Sequence, residues 1–501
     1  MNPPAARALQ SLHIEFDNSY ARLPSLFQVP VNPTPVAAPR LLQLNVALAT
    51  ALGLDAKALA SAEGTAVLAG NAVADGSEPI ALAYAGHQFG YFVPQLGDGR
   101  AILLGEVIGR DGARYDIQLK GSGPTPFSRR GDGRAALGPV LREYLLSEAM
   151  AALGVPTTRA LAAVLSGEPV FREGAVPGAI FTRVAASHLR VGTFQYIARH
   201  GDKEALRTLT DYAIRRHYPR ALGTPNQARA LLDGVIARHA ALVAQWLLLG
   251  FVHGVMNTDN TSISGETLDY GPCAFLEAYD PAAVFSSIDA RGRYAYSNQP
   301  HAAHWNLARL AESLLPLLAA EEGDAVASAT EALAGFGPQF ERARMAGLRR
   351  KLGLRTERAG DGVLAEDLLT RMHANRADLT LTFRGLAEAA ASEGADAGVR
   401  ALFADPAAYD VWAVEWRRRL EDEPGSPEDR AAAMRAANPA FIPRNHRVEE
   451  VIVAAVERDD LQPFADLLKV TADPYKDQPG AEHYATPALP EQCVTQTFCG
   501  T

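Results

Sequence analysis

The spacing of apolar positions changes character twice along this chain. Residues 1–80 are rich in Pro and Ala, with helical spacing near Leu41–Leu52 and Asp55–Ala62. From Tyr91 the spacing becomes that of strands. Tyr91–Gln95 and Ala101–Val107 flank a glycine turn, Gly109-Arg-Asp-Gly112 forms a second turn, and Tyr115–Lys120 sets Ile117 and Leu119 in alternation. A loop rich in Gly, Ser, Pro and Arg runs from Gly121 to Gly138. Pro139 suits the first turn of a helix that continues to Leu153, with Leu141, Tyr144 and Leu145 on its apolar face and Gly154 as its stop. Arg159–Leu165 and Ala179–Val184 read as further strands. From about Leu189 the period is helical, with a long helix over Gln227–Leu249, and it stays helical to about Arg458. The expected fold class is therefore α+β and bilobal. It comprises an N-terminal extension (1–80), a β-rich lobe (81–187), a mainly helical lobe (188–472) and an irregular tail (473–501).

Composition narrows the setting. Apolar residues make up 48% of the 501, charged residues 21%, and the net charge is −9. That balance is ordinary for a globular protein and argues against nucleic-acid binding, which needs clustered base. No run reaches the roughly 20 apolar residues that span a bilayer, and the best stretch, Ala240–Val252, is short and interrupted by Gln245. No charged segment followed by an apolar core marks a signal peptide at the N-terminus. Three cysteines, Cys273, Cys493 and Cys499, make no disulfide scaffold, so the expected setting is the cytoplasm. The basic residues are 42 arginines and only six lysines, which sets Lys120 apart as a compact point charge.

Candidate chemistry concentrates in Gly254-Val-Met-Asn-Thr-Asp-Asn260, followed closely by Asp269-Tyr-Gly271. Asp259, Asn260 and Asp269 fall in one strand-loop-strand unit, and their oxygens suit a hard divalent cation. Asn257, Asp259 and Asn260 also suit Asx turns in a hairpin loop. Upstream lie the turn Gly97-Asp-Gly-Arg100, the strand-end Lys120 and the helical Glu143. Glycines let backbone N–H groups approach phosphate, although Asp-Gly is equally a hairpin signal. Lys120 and Glu143 can pair, or each can be a solvated surface charge. Arg129, Arg130, Asp132, Gly133 and Arg134 form either a solvated loop or a phosphate clamp. Arg183 sits in an apolar strand and requires a partner: Glu143, Asp132 or a bound phosphate. Arg190 follows seven residues later. His87 reads as structural, and the four tryptophans, Trp246, Trp305, Trp412 and Trp416, as core. The order glycine turn, lysine, glutamate, metal acids is that of a protein-kinase-like phosphate-transfer site.

Longer stretches are more specific. Tyr84-Ala-Gly-His-Gln-Phe-Gly-Tyr-Phe92, Gln95-Leu-Gly-Asp-Gly-Arg100, Gln118-Leu-Lys-Gly-Ser-Gly-Pro-Thr-Pro-Phe-Ser-Arg129, Asp132-Gly-Arg134 and Gly254–Asn260 closely resemble the selenoprotein O family. The resemblance covers most of the chain. It implies a protein-kinase-like fold without a His-Arg-Asp loop. It also implies transfer of AMP from ATP, bound in reversed orientation, to Ser, Thr or Tyr hydroxyls of proteins, with release of pyrophosphate. By resemblance, Asp259 is the general base, Asn260 and Asp269 bind Mg²⁺ (with Mn²⁺ an alternative), and Asp269 also contacts ATP. Lys120 and Glu143 form an ion pair. Asp132, Arg183 and Arg190 hold the inward γ-phosphate, and Gly97, Gly99, Arg100 and Gly133 line the nucleotide site. Family members often carry a selenocysteine or cysteine third from the end, matched here by Cys499. Its partner cysteine is replaced by Phe285, which weakens the case for redox control. Two other functions stay open: a kinase-like phosphotransferase on the same scaffold, and a non-catalytic, pseudokinase-like ATP-binding scaffold.

Overall fold

In a computed structural model, the structure describes residues 12–498. Its centre is an eight-stranded sheet. Along its main path the strands run Gln28–Pro30, Ile80–Leu82, Ala101–Ile108, Arg114–Lys120, Ala175–Ala185, Arg159–Phe171, Arg40–Leu44, and the short strand Ala135–Ala136 pairs with Ala175–Ala185. All of these pairings are antiparallel. Alternation along the strands feeds two cores. Leu103 and Phe181 join the large core built around helix Leu137–Ala152, whereas Leu104, Ile117, Leu119 and Ile180 face a second core with Leu48, Leu52, Leu59 and Val67. Because Ile117 and Leu119 point to the second core, Gln118 and Lys120 project to the opposite face.

Residues 12–80 enter this sheet directly. They donate the strands Gln28–Pro30 and Arg40–Leu44, and their short helices cover one sheet face. The helical spacing at Leu41–Leu52 thus divides. Arg40–Leu44 is a strand paired with Arg159–Phe171, and the helix starts only at Val46, where Asn45 accepts the Leu48 N–H. A sheet buried on both faces draws such a segment in, because its apolar residues have no other surface to cover. A second correction concerns Tyr91–Val93. This strand pairs with Gly86–Gln88 in a separate hairpin and does not pair with Ala101–Ile108.

The remainder of the chain is mainly helical. Helix Gln227–Leu249 is capped by the Asn226 side chain and stopped by Gly250 in the left-handed conformation (φ 76°). By length and composition alone this helix could cross a bilayer, but 61% of its most apolar window is buried inside the protein, as befits a core helix. Trp246, Trp412 and Trp416 are buried as expected. Trp305 is not; it is half-buried, with the Arg293 and Arg309 guanidinium groups each 4.7 Å from its ring centroid.

Candidate active site

Where the sheet meets the helical region lies a cavity of about 920 Å³. Its inner wall is charged. Lys120 Nζ donates to Glu143 Oε2 at 2.6 Å and to Asp269 Oδ1 at 2.7 Å. Arg183, 2% exposed, donates through Nη1 to Glu143 Oε1 (3.3 Å) and Asp269 Oδ1 (3.0 Å), and through Nη2 to Gln118 Oε1 (2.7 Å). Arg190 stacks 4.3 Å over the Tyr84 ring, donates to the His188 carbonyl, and lies 3.5 Å from Asp98. Of the partners open to Arg183 in the sequence, Glu143 is the one found; Asp132 is not. Burial raises the Asp98 carboxyl, which also accepts from the Leu82 N–H and the Gln118 amide. For Asp269 burial also pushes upward, but Lys120 and Arg183 outweigh it and hold the group well below the usual carboxylate range.

Asp259, Asn260 and Asp269 sit on an irregular hairpin. Strands Phe251–Val252 and Ala274–Phe275 pair at its base, and a 3₁₀ turn, Thr258–Asn260, carries the site. Asp259 Oδ2 accepts from Gln88 Nε2 at 3.1 Å, while Oδ1 is buried without a hydrogen-bond partner among the described residues. Burial pushes the Asp259 carboxyl up to about 6. Asn260 donates its amide to the Val255 carbonyl, which leaves its oxygen uncommitted. Asp269 holds φ at 65°, an uncommon conformation for a residue with a side chain.

Two glycine segments fit tightly against neighbours. A Cβ on Gly97 (φ 76°) would fall 2.3 Å from the Phe127 ring, and one on Gly99 would fall 2.9 Å from the Phe127 carbonyl. The turn therefore clasps the loop 121–134, and between its glycines the Asp98 carboxylate is buried. A Cβ on Gly133 (φ 66°) would fall 2.1 Å from the Gly123 carbonyl. Arg100 is half-buried, lines the cavity and makes no ion pair among the described residues. Asp132 lies on the exposed rim, bound by Arg172 (2.9 and 3.2 Å) and by the Arg134 N–H. Asp132 thus orders Arg172, an arginine distant in sequence.

Gln88, Gly86, Asp98 and Gln118 escaped sequence reasoning. Within Ala85-Gly-His-Gln, His87 is structural as expected: its ring accepts from the Gln195 amide and packs on Phe92 and Trp305. Its neighbours matter more to the cleft. A Cβ on Gly86 would lie 2.7 Å from Asp259 Oδ1, so glycine there keeps room for that carboxylate. The tail returns to the same region: the Thr497 N–H donates to the Phe285 carbonyl at 2.7 Å, beside Ile288 and Phe498 at the cavity lining. Backbone pairing thus docks the tail where Phe285 stands; Cys499 lies outside the described residues.

A family model described as "Protein adenylyltransferase SelO" matches residues 10–472. The chain is 63% identical over 491 residues to a "Protein nucleotidyltransferase YdiU" of a Bradyrhizobium species, covering 98% of this chain and 100% of the relative. A protein of the same description from Methylorubrum extorquens is 66% identical over 492 residues, covering 97% and 99%. One from Rhodopseudomonas palustris is 60% identical over 491 residues, covering 98% and 100%.

Proposed function

This chain belongs to the protein adenylyltransferase SelO family and is a protein nucleotidyltransferase; we propose that it transfers AMP from ATP to a Ser, Thr or Tyr hydroxyl of a protein and releases pyrophosphate. The observation that carries this reading is the set of three cations, Lys120, Arg183 and Arg190, on the buried wall of a cleft that Asp259 also lines. A triphosphate placed tail-inward sets its β- and γ-phosphates on that wall and presents its α-phosphorus to an incoming hydroxyl. Asp259 takes the hydroxyl proton, the hydroxyl oxygen bonds to the α-phosphorus, and the bond to the bridging oxygen breaks. Pyrophosphate leaves with its charge met by fixed cations, which need no reorganisation during the step. A carboxyl that ionises near 6 is mostly in its base form at neutral pH while still accepting a proton readily.

In the same reading Gly97, Gly99, Arg100 and Gly133 shape the nucleotide loop, Glu143 holds Lys120 extended, and Asp132 fixes Arg172 at the rim. The bilobal, protein-kinase-like fold and a cytoplasmic setting belong to the proposal as well. Asn260 and Asp269 suit Mg²⁺ or Mn²⁺. They offer two side-chain oxygens, and among the described residues no group of three His, Cys, Asp or Glu makes an all-protein cage. Such an ion, when bound, supplies positive charge to phosphate oxygens. The test is incubation with Mg²⁺, a cell extract and ATP labelled at either the α- or the γ-phosphate. Protein should take label from the α-position only, and Asp259→Ala should abolish it. Label from the γ-position would mark a phosphotransferase, and nucleotide binding with neither label a scaffold.

A further inference from the structure

The helical region holds a second cavity of about 290 Å³, which shares no lining residue with the cleft. It lies among helices Gln227–Leu249, Phe336–Lys351, Asp361–Asn375 and Leu379–Ala391. Leu248, Leu348, Leu369 and Phe383 form an apolar part of its wall, beside polar groups. Lys351 also lines it. This lysine is 5% exposed, and among the described residues its Nζ has no hydrogen bond and no carboxylate partner; it lies 4.6 Å from the centroid of the Phe383 ring. The other charged groups at the cavity are satisfied. Arg344 binds Glu366 and Glu341, so neither Arg344 nor Glu366 offsets Lys351. The Tyr296 hydroxyl donates to the Leu247 carbonyl at 2.5 Å, while among the described residues the Tyr279 hydroxyl makes no side-chain bond.

A buried amine without a counter-charge is costly, and an apolar residue of similar length would fill this place at lower cost. The chain has only six lysines, yet it turns one inward here. Burial lowers Lys351 to about 7, so an entering anion would restore its proton. We propose that this cavity binds a small carboxylate with an apolar body, the carboxylate paired with Lys351 and the body against Leu348, Leu369 and Phe383. A volume just under the usual ~300–1,000 Å³ of small-molecule sites selects a medium-chain or single-ring acid over a nucleotide.

Calorimetric titration of the full chain with octanoate, and with 1-octanol as its uncharged counterpart, tests the assignment. Octanoate should bind saturably at one site per chain, at least tenfold more weakly to Lys351→Met, while 1-octanol binds both proteins alike. Lys351→Met should melt no lower than the parent and should keep nucleotidyl transfer. Should that variant fail to fold, Leu369→Trp, which fills the cavity from helix Asp361–Asn375, decides the matter by abolishing octanoate binding. No saturable binding to the parent, or equal octanoate binding to parent and folded variants, would overturn the proposal.

Discussion

Replacing Lys120 by Met and Glu143 by Gln, singly and together, measures how far the inner wall of the cleft depends on their pairing. The two side chains are 12% and 7% exposed, and their charged atoms are 2.6 Å apart. At an effective dielectric near 20, opposite charges about 4 Å apart attract by ~4 kcal/mol before desolvation is subtracted. Losing one partner of a buried pair typically costs about 3–5 kcal/mol. Here each survivor keeps a second partner: Glu143 retains Arg183 at 3.3 Å, and Lys120 retains Asp269 at 2.7 Å. We therefore expect about 2–3 kcal/mol for each single change and a coupling energy of about 2 kcal/mol between them. Guanidinium unfolding of the nucleotide-free protein, followed by tryptophan fluorescence, reads all four corners of the cycle. A coupling under about 0.5 kcal/mol would refute the view that these charges are desolvated and mutually dependent.

Three further outcomes are expected. Asp259→Asn should lose AMP transfer yet still bind ATP, and the parent's log rate should climb with pH up to about 6 and then level, because only the ionised carboxylate accepts the proton; a profile flat from about pH 5 to 8 would exclude Asp259 as the base. Glu266, which accepts from the Ala186 N–H and the Ser264 hydroxyl, is pushed up to about 7 by burial. Its folded pKa is raised, so its contribution is full below the unfolded value and is lost as pH rises through 7. Glu266→Gln should then gain about 1–3 kcal/mol at pH 8, discounted for partial solvent contact, and almost nothing at pH 4, as read from paired melts. Gly97 and Gly112 share φ near 76°, but only Gly97 has a neighbour where a Cβ would go. Gly97→Ala should exceed Gly112→Ala in cost by about 1–3 kcal/mol and should alone raise the KM for ATP.

What the sequence made legible followed local rules. Helix Gln227–Leu249 announced itself through Asn226 and Gly250, and the alternation of Ile117 and Leu119 placed Lys120 on the cleft face. Lys120, Glu143 and Asp269 could be ordered along the chain, and the structure brings them within hydrogen-bonding distance. Features that escaped are those set by distant partners. Leu41, Leu42 and Leu44 look helical until strand Arg159–Phe171 claims them. Arg172 lies 40 residues from Asp132 and shares no motif with it. Gln88 and Gly86 lie in a hairpin whose role depends wholly on Asp259, 171 residues from Gln88. Asp98 reads as a turn residue, and only the packing of loop 121–134 reveals it as a buried acid. Trp305 reads as core because side-chain type says nothing of two arginines stacked on its ring.

A structure with Mg²⁺ and a non-hydrolysable ATP analogue tests most directly which end of the triphosphate meets the buried wall. We expect the terminal phosphate among Lys120, Arg183 and Arg190, and the α-phosphorus facing the open cleft on the side of Asp259. A terminal phosphate at the exposed rim beside Arg129 and Arg172 would contradict the proposed transfer of AMP.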